Sequence, residues 1–175
     1  MSEEKQMFEA NNQGDLTRSQ ILGGNAGHHK LTEKLTGFKK IQCYCSNISW
    51  FYTLTGNGPA FTKESGIATL ELKEGSTIIR PRTTYDSYFH NTYSLDSTKL
   101  RTDAAFVTNI ENTSRFGQSL RGDNCECYSI YSPSYKYKIN QIHKPVEPLD
   151  TDINRECRSG IHFFLTKSEA QDYAA

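Results

Sequence analysis

Short segments of aromatic and β-branched residues, each ended by a turn-forming residue, run through the chain from Phe38 onward. In residues 67–72, apolar and polar side chains alternate with the two-residue period of a half-buried strand. Residues 73–76 supply a hairpin-type turn into residues 77–80, and Pro81 ends that strand because it has no N–H to donate. This pattern predicts an antiparallel β fold with strands at residues 41–45, 48–54, 67–72, 77–80, 104–110, 125–131, 135–139 and 161–165.

The N-terminal segment lacks this pattern. Residues 1 to about 30 are polar, and so few apolar side chains cannot offset the entropy lost when a chain is ordered. Residues 1–36 are therefore predicted to be an arm that is flexible or ordered by a partner. Within it, residues 31–36 have the composition of a single helical turn.

The C-terminal end carries a helix signal. Thr166 and Glu169 have the spacing of a capping box, in which the N-cap hydroxyl and the third helical residue satisfy each other's backbone N–H groups. A short helix through Tyr173 is predicted. The chain is thus expected to be α+β, with a mainly antiparallel β sheet or small barrel as a single domain over residues 37–175, a short C-terminal helix and a polar N-terminal arm.

Charge and composition restrict the function classes. The 20 Lys and Arg residues balance 20 Asp and Glu residues, which argues against a surface dedicated to nucleic acid. The first residues contain no apolar segment typical of a secretory signal, and no run is long enough to cross a bilayer, so a cytoplasmic protein without membrane contact is expected. Five cysteines, an odd number, then fit reduced thiols better than a disulfide framework.

Cys157 and His162 lie close together across Gly160 near the end of the chain. One interpretation makes them a thiolate and a base, or two metal ligands. The favoured interpretation is architectural: Gly160 forms a turn with positive φ, Cys157 packs as a small apolar residue, and His162 occupies a strand. On that strand, His162 and Phe164 share one face, and the apolar side chains at 161, 163 and 165 share the other.

Two Cys-x-Cys pairs lie on predicted strands. In each pair the two thiols project to the same side of the strand, so four sulfurs can converge on a tetrahedral zinc ion if the strands are neighbours. Structural zinc sites usually use Cys-x-x-Cys, and pairs within aromatic strands are more often core residues. No cofactor is expected, with zinc as the alternative; its candidate ligands are Cys43, Cys45, Cys125 and Cys127.

A tyrosine-rich stretch within residues 85–99 is predicted to be a long loop. Tyrosine supplies a large amphipathic contact area at low entropic cost and is enriched at binding surfaces. Arginine and histidine add groups that can hold a phosphate or act as a general base. The candidate ligand-binding residues are Arg80, Tyr85, Tyr88, His90, Arg101 and His162.

The C-terminal pattern resembles a known domain. Residues 157–173 read Cys-x-x-Gly-Ile-His-Phe-Phe-x-Thr-x-x-Glu-Ala-x-x-Tyr, and residues 66–72, 104–107 and 131–133 agree with the same resemblance. The similarity is to a domain of unknown function in giant DNA virus proteins, often beside pentapeptide-type repeats. It implies a viral origin and a β fold, and it implies no chemistry.

These observations favour a non-enzymatic viral accessory or structural module. It would bind a protein partner, a second copy of itself or a small ligand through its sheet face and tyrosine-rich loop, in the host cytoplasm or in the virion. The first alternative is a protein or enzyme that binds a nucleotide- or NAD-type ligand in a pocket around His162. The second alternative is a zinc-stabilised interaction domain.

Overall fold

The protein is mainly antiparallel β structure with a short C-terminal helix, which confirms the predicted α+β class. This computed structural model describes residues 15–16, 26–47, 60–86, 92–96, 98–113, 125–130 and 132–173. Its helix is α1 (Lys167–Asp172). Its strands are β1 (Asp15–Leu16), β2 (Gly27–Leu31), β3 (Leu35–Asn47), β4 (Ala60–Leu72), β5 (Thr77–Arg80), β6 (Arg82–Asp86), β7 (Thr92–Asp96), β8 (Leu100–Thr102), β9 (Ala105–Asn112), β10 (Cys125–Ser129), β11 (Lys136–Tyr137), β12 (Ile142–His143) and β13 (Ile161–Phe163).

Two sheets and a two-stranded ribbon make up the described β structure. The first sheet has the order β1-β2-β5-β8-β13, the second has the order β11-β10-β3-β4-β9-β12, and β6 pairs with β7. Strand β1 runs parallel to β2, while the other pairings are antiparallel. The described strands form open sheets, so the barrel alternative is not what this part of the chain adopts.

The predicted turn after β4 forms, but it joins the two sheets instead of closing a hairpin. Both edges of β4 are already paired, one with β3 and the other with β9. Strand β5 therefore pairs with β2 and β8 in the other sheet. The hairpin prediction is wrong because local turn chemistry does not specify which sheet the next strand joins.

One apolar core lies between the two sheets. Along β3, Leu35, Ile41 and Cys43 are buried, whereas Thr36 and Tyr44 are exposed, as the two-residue period of a strand requires. We call the buried side of β3 its inward face. The same core cluster takes side chains from both sheets: Leu31, Ala68, Leu70, Leu72, Ile78, Leu100, Ala105, Val107, Ile110, Cys127, Ile161 and Phe163.

The C-terminal segment closes the structure as predicted. Ile161, Phe163 and Leu165 enter the main core, while Phe164 faces a second cluster with Ile67 and Ala170. Backbone hydrogen bonds of 2.8 and 2.7 Å between Phe38 and Phe164 tie this segment to β3.

The predicted helix cap is also present. The N–H of Glu169 donates to the Thr166 hydroxyl at 3.2 Å, and α1 begins at the next residue after Thr166. The helix places Ala170 in the second cluster, on the outer side of β3 and β4. The capped helix therefore serves to cover the apolar residues left on that side.

Two local predictions are wrong. Residues 31–36 do not form a helical turn, because Leu31 closes β2 and exchanges backbone hydrogen bonds with the turn at residues 75–76. The tyrosine-rich stretch is not simply a loop, since β6 and β7 pair across it. Backbone pairing overrides the local propensity in both places, with a distant turn at Leu31 and with the next strand along the chain at β6.

The predicted N-terminal arm and some other predicted features are only partly covered by the described residues. Strand β2 and the first residues of β3 lie before residue 37, within the segment predicted to be an arm, and Leu31 and Leu35 are buried in the core. The predicted strand at residues 48–54 lies outside the described residues, as do Tyr88 and His90.

Four of the five cysteines form two disulfides, so the expectation of reduced thiols is wrong for them. Cys43 bonds to Cys127, and Cys45 bonds to Cys125. Each bond joins residues that lie directly opposite each other in the β3–β10 pairing. Two Cys-x-Cys pairs on neighbouring antiparallel strands necessarily face each other in this way once the register is set.

Reduction of these disulfides is expected to lower the free energy of unfolding by roughly 2–5 kcal/mol, because the Cys43–Cys127 bond closes a long loop in the unfolded chain. The second bond adds less, since it joins neighbours of the first. The measurement is urea unfolding of a Cys157→Ser variant with and without a phosphine reductant. Equal midpoints, or four titratable thiols before reduction, would contradict the pairing, and metal analysis of the reduced variant tests the zinc alternative.

Candidate functional site

A lysine occupies the inward face of β3. Lys39 lies between Gly37 and Ile41 on the side of the strand that faces the core, and its side chain is only 6% exposed. Its Nζ donates a hydrogen bond of 3.0 Å to the carbonyl oxygen of His162. The same Nζ lies 5.7 Å from the centre of the Tyr137 ring, on which a cation is attracted by the π electrons.

Burial changes the chemistry of this lysine. Transfer of an ammonium group out of water disfavours the charged form, and a second cation, Lys99, adds repulsion. Together these effects lower the pKa of Lys39 from 10.5 to about 8. Within the described part of the chain, no carboxylate pairs with Lys39 Nζ.

Lys99 supplies the second buried cation. It precedes β8 and is 3% exposed. Its Nζ lies 3.2 Å from the hydroxyl of Tyr173 and 5.2 Å from the centre of that ring. It also lies 3.6 Å from Sγ of Cys157. Cys157, which precedes β13, and Tyr173, which follows α1, therefore both contact this ammonium group.

Both lysines line one cavity of about 480 Å³. Arg158 adds a third cation to its wall, and the carboxylate on the wall belongs to the exposed Glu147. The lining combines these charges with hydroxyl groups, aromatic rings and a thiol: Ser129, Ser132, Tyr135, Tyr137, Cys157 and Ser159. The lining thus combines positive charge with aromatic rings, and we call this space the lysine cavity.

His162 lies on the wall of the lysine cavity, as the sequence-based alternative anticipated, but it is poorly suited to acid–base catalysis. Its Nε2 lies 2.6 Å from the carbonyl oxygen of Arg158. A carbonyl only accepts, so the ring carries its proton on Nε2. Burial, followed by the charges of Lys39, Lys99 and Arg101, lowers the pKa of His162 to about 3. The imidazole is therefore neutral near pH 7.

Cys157 is exposed, so the expectation that it packs as a small apolar residue is wrong. Its Sγ lies 3.6 Å from Nζ of Lys99, and Cys157 lines the lysine cavity. Gly160 does form the predicted turn, with a φ of 147°. A Cβ at Gly160 would lie 2.8 Å from Leu149 and 3.0 Å from Arg101, so there is no room for a side chain at this bend.

Arg101 has a structural setting. It is 1% exposed, and its guanidinium donates to the carbonyl oxygens of Asp150, Arg155 and Asp152 at 2.8, 2.6 and 2.5 Å. Arginine suits this task because its planar fork of donors reaches several acceptors at once. One buried side chain therefore bonds three backbone carbonyl groups of the segment that brings Cys157 to the lysine cavity.

Of the candidate residues, His162 lines the lysine cavity, whereas Arg101 and Arg80 are not among its lining residues. Arg80 is buried on β5, opposite Gly27 of β2. Tyr85 lies on β6, opposite Tyr93 of β7. Tyr88 and His90 lie outside the described residues, so a ligand-binding role for these four residues stays a prediction.

A zinc site also stays a prediction. In the structure the sulfurs of Cys43, Cys45, Cys125 and Cys127 are used in disulfides, and a metal ligand must be a thiolate. Over the ranges that the structure describes, no group of three or more His, Cys, Asp or Glu side chains is arranged to hold a metal ion.

The outer face of the second sheet carries a second cavity of about 850 Å³. Tyr44, which is 43% exposed, and Tyr128 meet edge to face there with ring centres 6.2 Å apart. Lys136 and Tyr128 both bond the Glu126 carboxylate and lower its pKa. Binding of a protein partner to this sheet face stays a prediction.

Sequence reasoning missed Lys39 and Lys99. The available signal for Lys39 was its register: it shares the two-residue period of the apolar side chains at 35, 41, 43 and 45. A charged residue at a core-facing position of a strand is rare enough to attract attention. Lys99 offered no comparable signal, because it precedes a strand of only three residues.

Replacement of Arg101 by methionine is expected to lower the free energy of unfolding by roughly 3–5 kcal/mol, because a buried guanidinium and its three hydrogen bonds to backbone carbonyl groups are lost. The matched control is Arg155→Met, which removes an exposed side chain within the same segment. Urea unfolding measures the loss, and limited proteolysis reports cleavage within residues 144–160. Similar stability and cleavage of the two variants would show that Arg101 does not hold the segment.

No helix in the described part of the chain is long and apolar enough to cross a membrane. The chain is 32% identical to uncharacterized protein L223 of Acanthamoeba polyphaga mimivirus over 85% of this chain and 88% of that protein. It is 29% identical to uncharacterized protein L227 of the same virus, over 63% of this chain and 60% of the other.

No solved structure matches the chain. The family of unknown function called DUF5758 matches residues 27–170, which include the lysine cavity and both disulfides. These findings confirm the resemblance to a giant-virus domain of unknown function, while the neighbouring repeats stay a prediction. The chain belongs to the DUF5758 family of unknown function, and it is similar to uncharacterized mimivirus proteins.

Proposed function

We propose that this viral protein is a binding module that holds a small anionic ligand in the lysine cavity. The observation that carries the proposal is the buried ammonium group of Lys39. It lines the cavity, lies near a second buried lysine, and has no carboxylate partner among the described residues. An anion in the cavity would supply the missing counter-charge.

The energetics favour an occupant with negative charge. Burial of a charged group without a counter-ion is costly, and the lowered pKa of Lys39 corresponds to roughly 3 kcal/mol of destabilisation of its charged form. A phosphate or carboxylate beside Lys39 and Lys99 offsets this cost, because the attraction acts where water is largely excluded. The ligand-free protein already bears the free-energy cost of burying the charged Lys39, so relief of this cost by an anion adds to the affinity.

The shape and lining of the cavity indicate the size of the ligand. A volume of about 480 Å³ falls in the usual range for small-molecule sites. Tyr135 and Tyr137 lie side by side with ring centres 5.0 Å apart, and both line the cavity. Aromatic walls beside a cationic pole suit a phosphate attached to a planar group, which is the chemistry of a nucleotide.

The setting of His162 favours a binder over a hydrolase. A general base works best with a pKa near the working pH, and burial beside three cations lowers the pKa of His162 to about 3. Its Nε2–H is already directed to the Arg158 carbonyl. The enzyme alternative built on His162 thus receives no support from the surroundings of that ring.

Inorganic phosphate is expected to raise the melting temperature of the protein at constant ionic strength, because a ligand that binds only the folded state stabilises it. At a hundred times its Kd, the gain is about 2.7 kcal/mol. Lys39→Met is expected to abolish the shift and, without phosphate, to be more stable than the wild type. It loses the buried charge and keeps the length of the side chain.

The matched control is Lys73→Met, in an exposed turn, which should keep the full shift. Adenosine monophosphate in place of phosphate tests the aromatic wall, with a larger shift expected. If sodium chloride stabilises the protein as much as phosphate does, or if Lys39→Met retains the shift, the proposal is wrong.

A further inference from the structure

We propose that Lys39 captures its ligand covalently, as an imine with the carbonyl group of a small 2-oxo acid or a comparable anionic aldehyde or ketone. This inference rests on the proposed anion site and adds a reacting atom to it, the Nζ of Lys39. The ligand's carboxylate or phosphate lies toward Lys99, and its carbonyl carbon lies at Lys39.

The geometry gives Lys39 the surroundings of a reactive amine. Lys39 lines the cavity, and its side chain lies on the core-facing side of β3 with only 6% of the residue exposed. Its acceptor is the backbone carbonyl of His162, which does not hold the proton as a carboxylate would. A lysine that is desolvated and placed next to another cation is the arrangement that activates an amine as a nucleophile.

The protonation state supports the same conclusion. A pKa of about 8 leaves roughly a tenth of Lys39 as neutral amine at pH 7, whereas an ordinary lysine is neutral in fewer than about one in a thousand molecules. The nearby imidazole of His162 is neutral, so it adds no further positive charge to the cavity.

The reaction balances without an oxidant or a reductant. The lone pair of neutral Lys39 attacks the carbonyl carbon, a C–N bond forms, and the carbonyl π electrons move to oxygen. One proton moves from nitrogen to oxygen to give a carbinolamine. This intermediate loses the oxygen as water when a C=N bond forms. The net change is amine plus carbonyl to imine plus water.

Lys99 positions the ligand in this scheme. Its Nζ lies 3.2 Å from the Tyr173 hydroxyl and 3.6 Å from the Cys157 sulfur, and Lys99 lines the same cavity as Lys39. A carboxylate paired with Lys99 would direct the adjacent carbonyl of a 2-oxo acid toward the amine of Lys39. An uncharged ketone gains no such attraction and is expected to react more slowly.

The test is reductive trapping with pyruvate and cyanoborohydride, followed by peptide mass spectrometry. A single adduct at Lys39 is expected, with a rate that rises as the pH approaches about 8 and falls when phosphate competes. Acetone is expected to give little adduct. Lys40 is an internal control on the same strand, because it points to the outer side and bonds the backbone of the C-terminal helix.

Two arginine variants test the covalent step. Lys39→Arg keeps the positive charge and cannot form an imine, so the adduct should disappear. Lys40→Arg should keep both the adduct and the thermal shift with phosphate. If Lys39→Arg does not fold, the pH dependence of adduct formation in the wild type and its inhibition by phosphate test the proposal instead.

Three results would contradict the proposals in different ways. Phosphate binding without an adduct at Lys39 overturns the imine and leaves the anion site intact. If an adduct forms at Lys39 and phosphate does not slow its formation, the reactive amine is supported and the anion site is overturned. Adducts spread over exposed lysines, with none at Lys39 and no thermal shift, overturn both.

Discussion

The lysine cavity depends on a positive charge that is buried at a core-facing position of β3, one of the two longest described strands. Lys39 takes the place in the β3 pattern where an apolar side chain would pack between Gly37 and Ile41. Such a charge costs free energy unless another group compensates it. The His162 carbonyl and the Tyr137 ring partly compensate the charge of Lys39. The nearby ammonium group of Lys99 repels it and increases the cost. The lysine cavity is the space in which a counter-charge fits.

The rest of the fold brings the C-terminal segment to this charge. The Phe38–Phe164 bridge joins the last strand to β3 one residue before Lys39, so the His162 carbonyl reaches Nζ. Arg101 fastens the preceding segment by three backbone carbonyls. These contacts set the cavity wall with backbone hydrogen bonds and one buried guanidinium, which is a rigid way to position a site.

The sequence predicted features that depend on neighbouring residues, but it did not predict features that depend on which strands pair. Period-two alternation predicted residues 67–72 and 161–165 well, and the Thr166 cap needed only neighbouring residues. The hairpin after β4, the helical turn at 31–36 and the reduced thiols were wrong, because each depends on which strands become neighbours. The same holds for the site: Lys39, Lys99 and Cys157 meet only through β3, β8 and the C-terminal segment, which are far apart in sequence.

The most direct test of this account is the pKa of Lys39, measured by heteronuclear NMR of its side-chain resonances with and without phosphate. The account predicts a pKa near 8 in the free protein, and a higher value when an anion is added, because an opposite charge favours the ammonium form. A value near 10.5 that phosphate does not change would show that Lys39 is solvated or already paired, and would contradict the account.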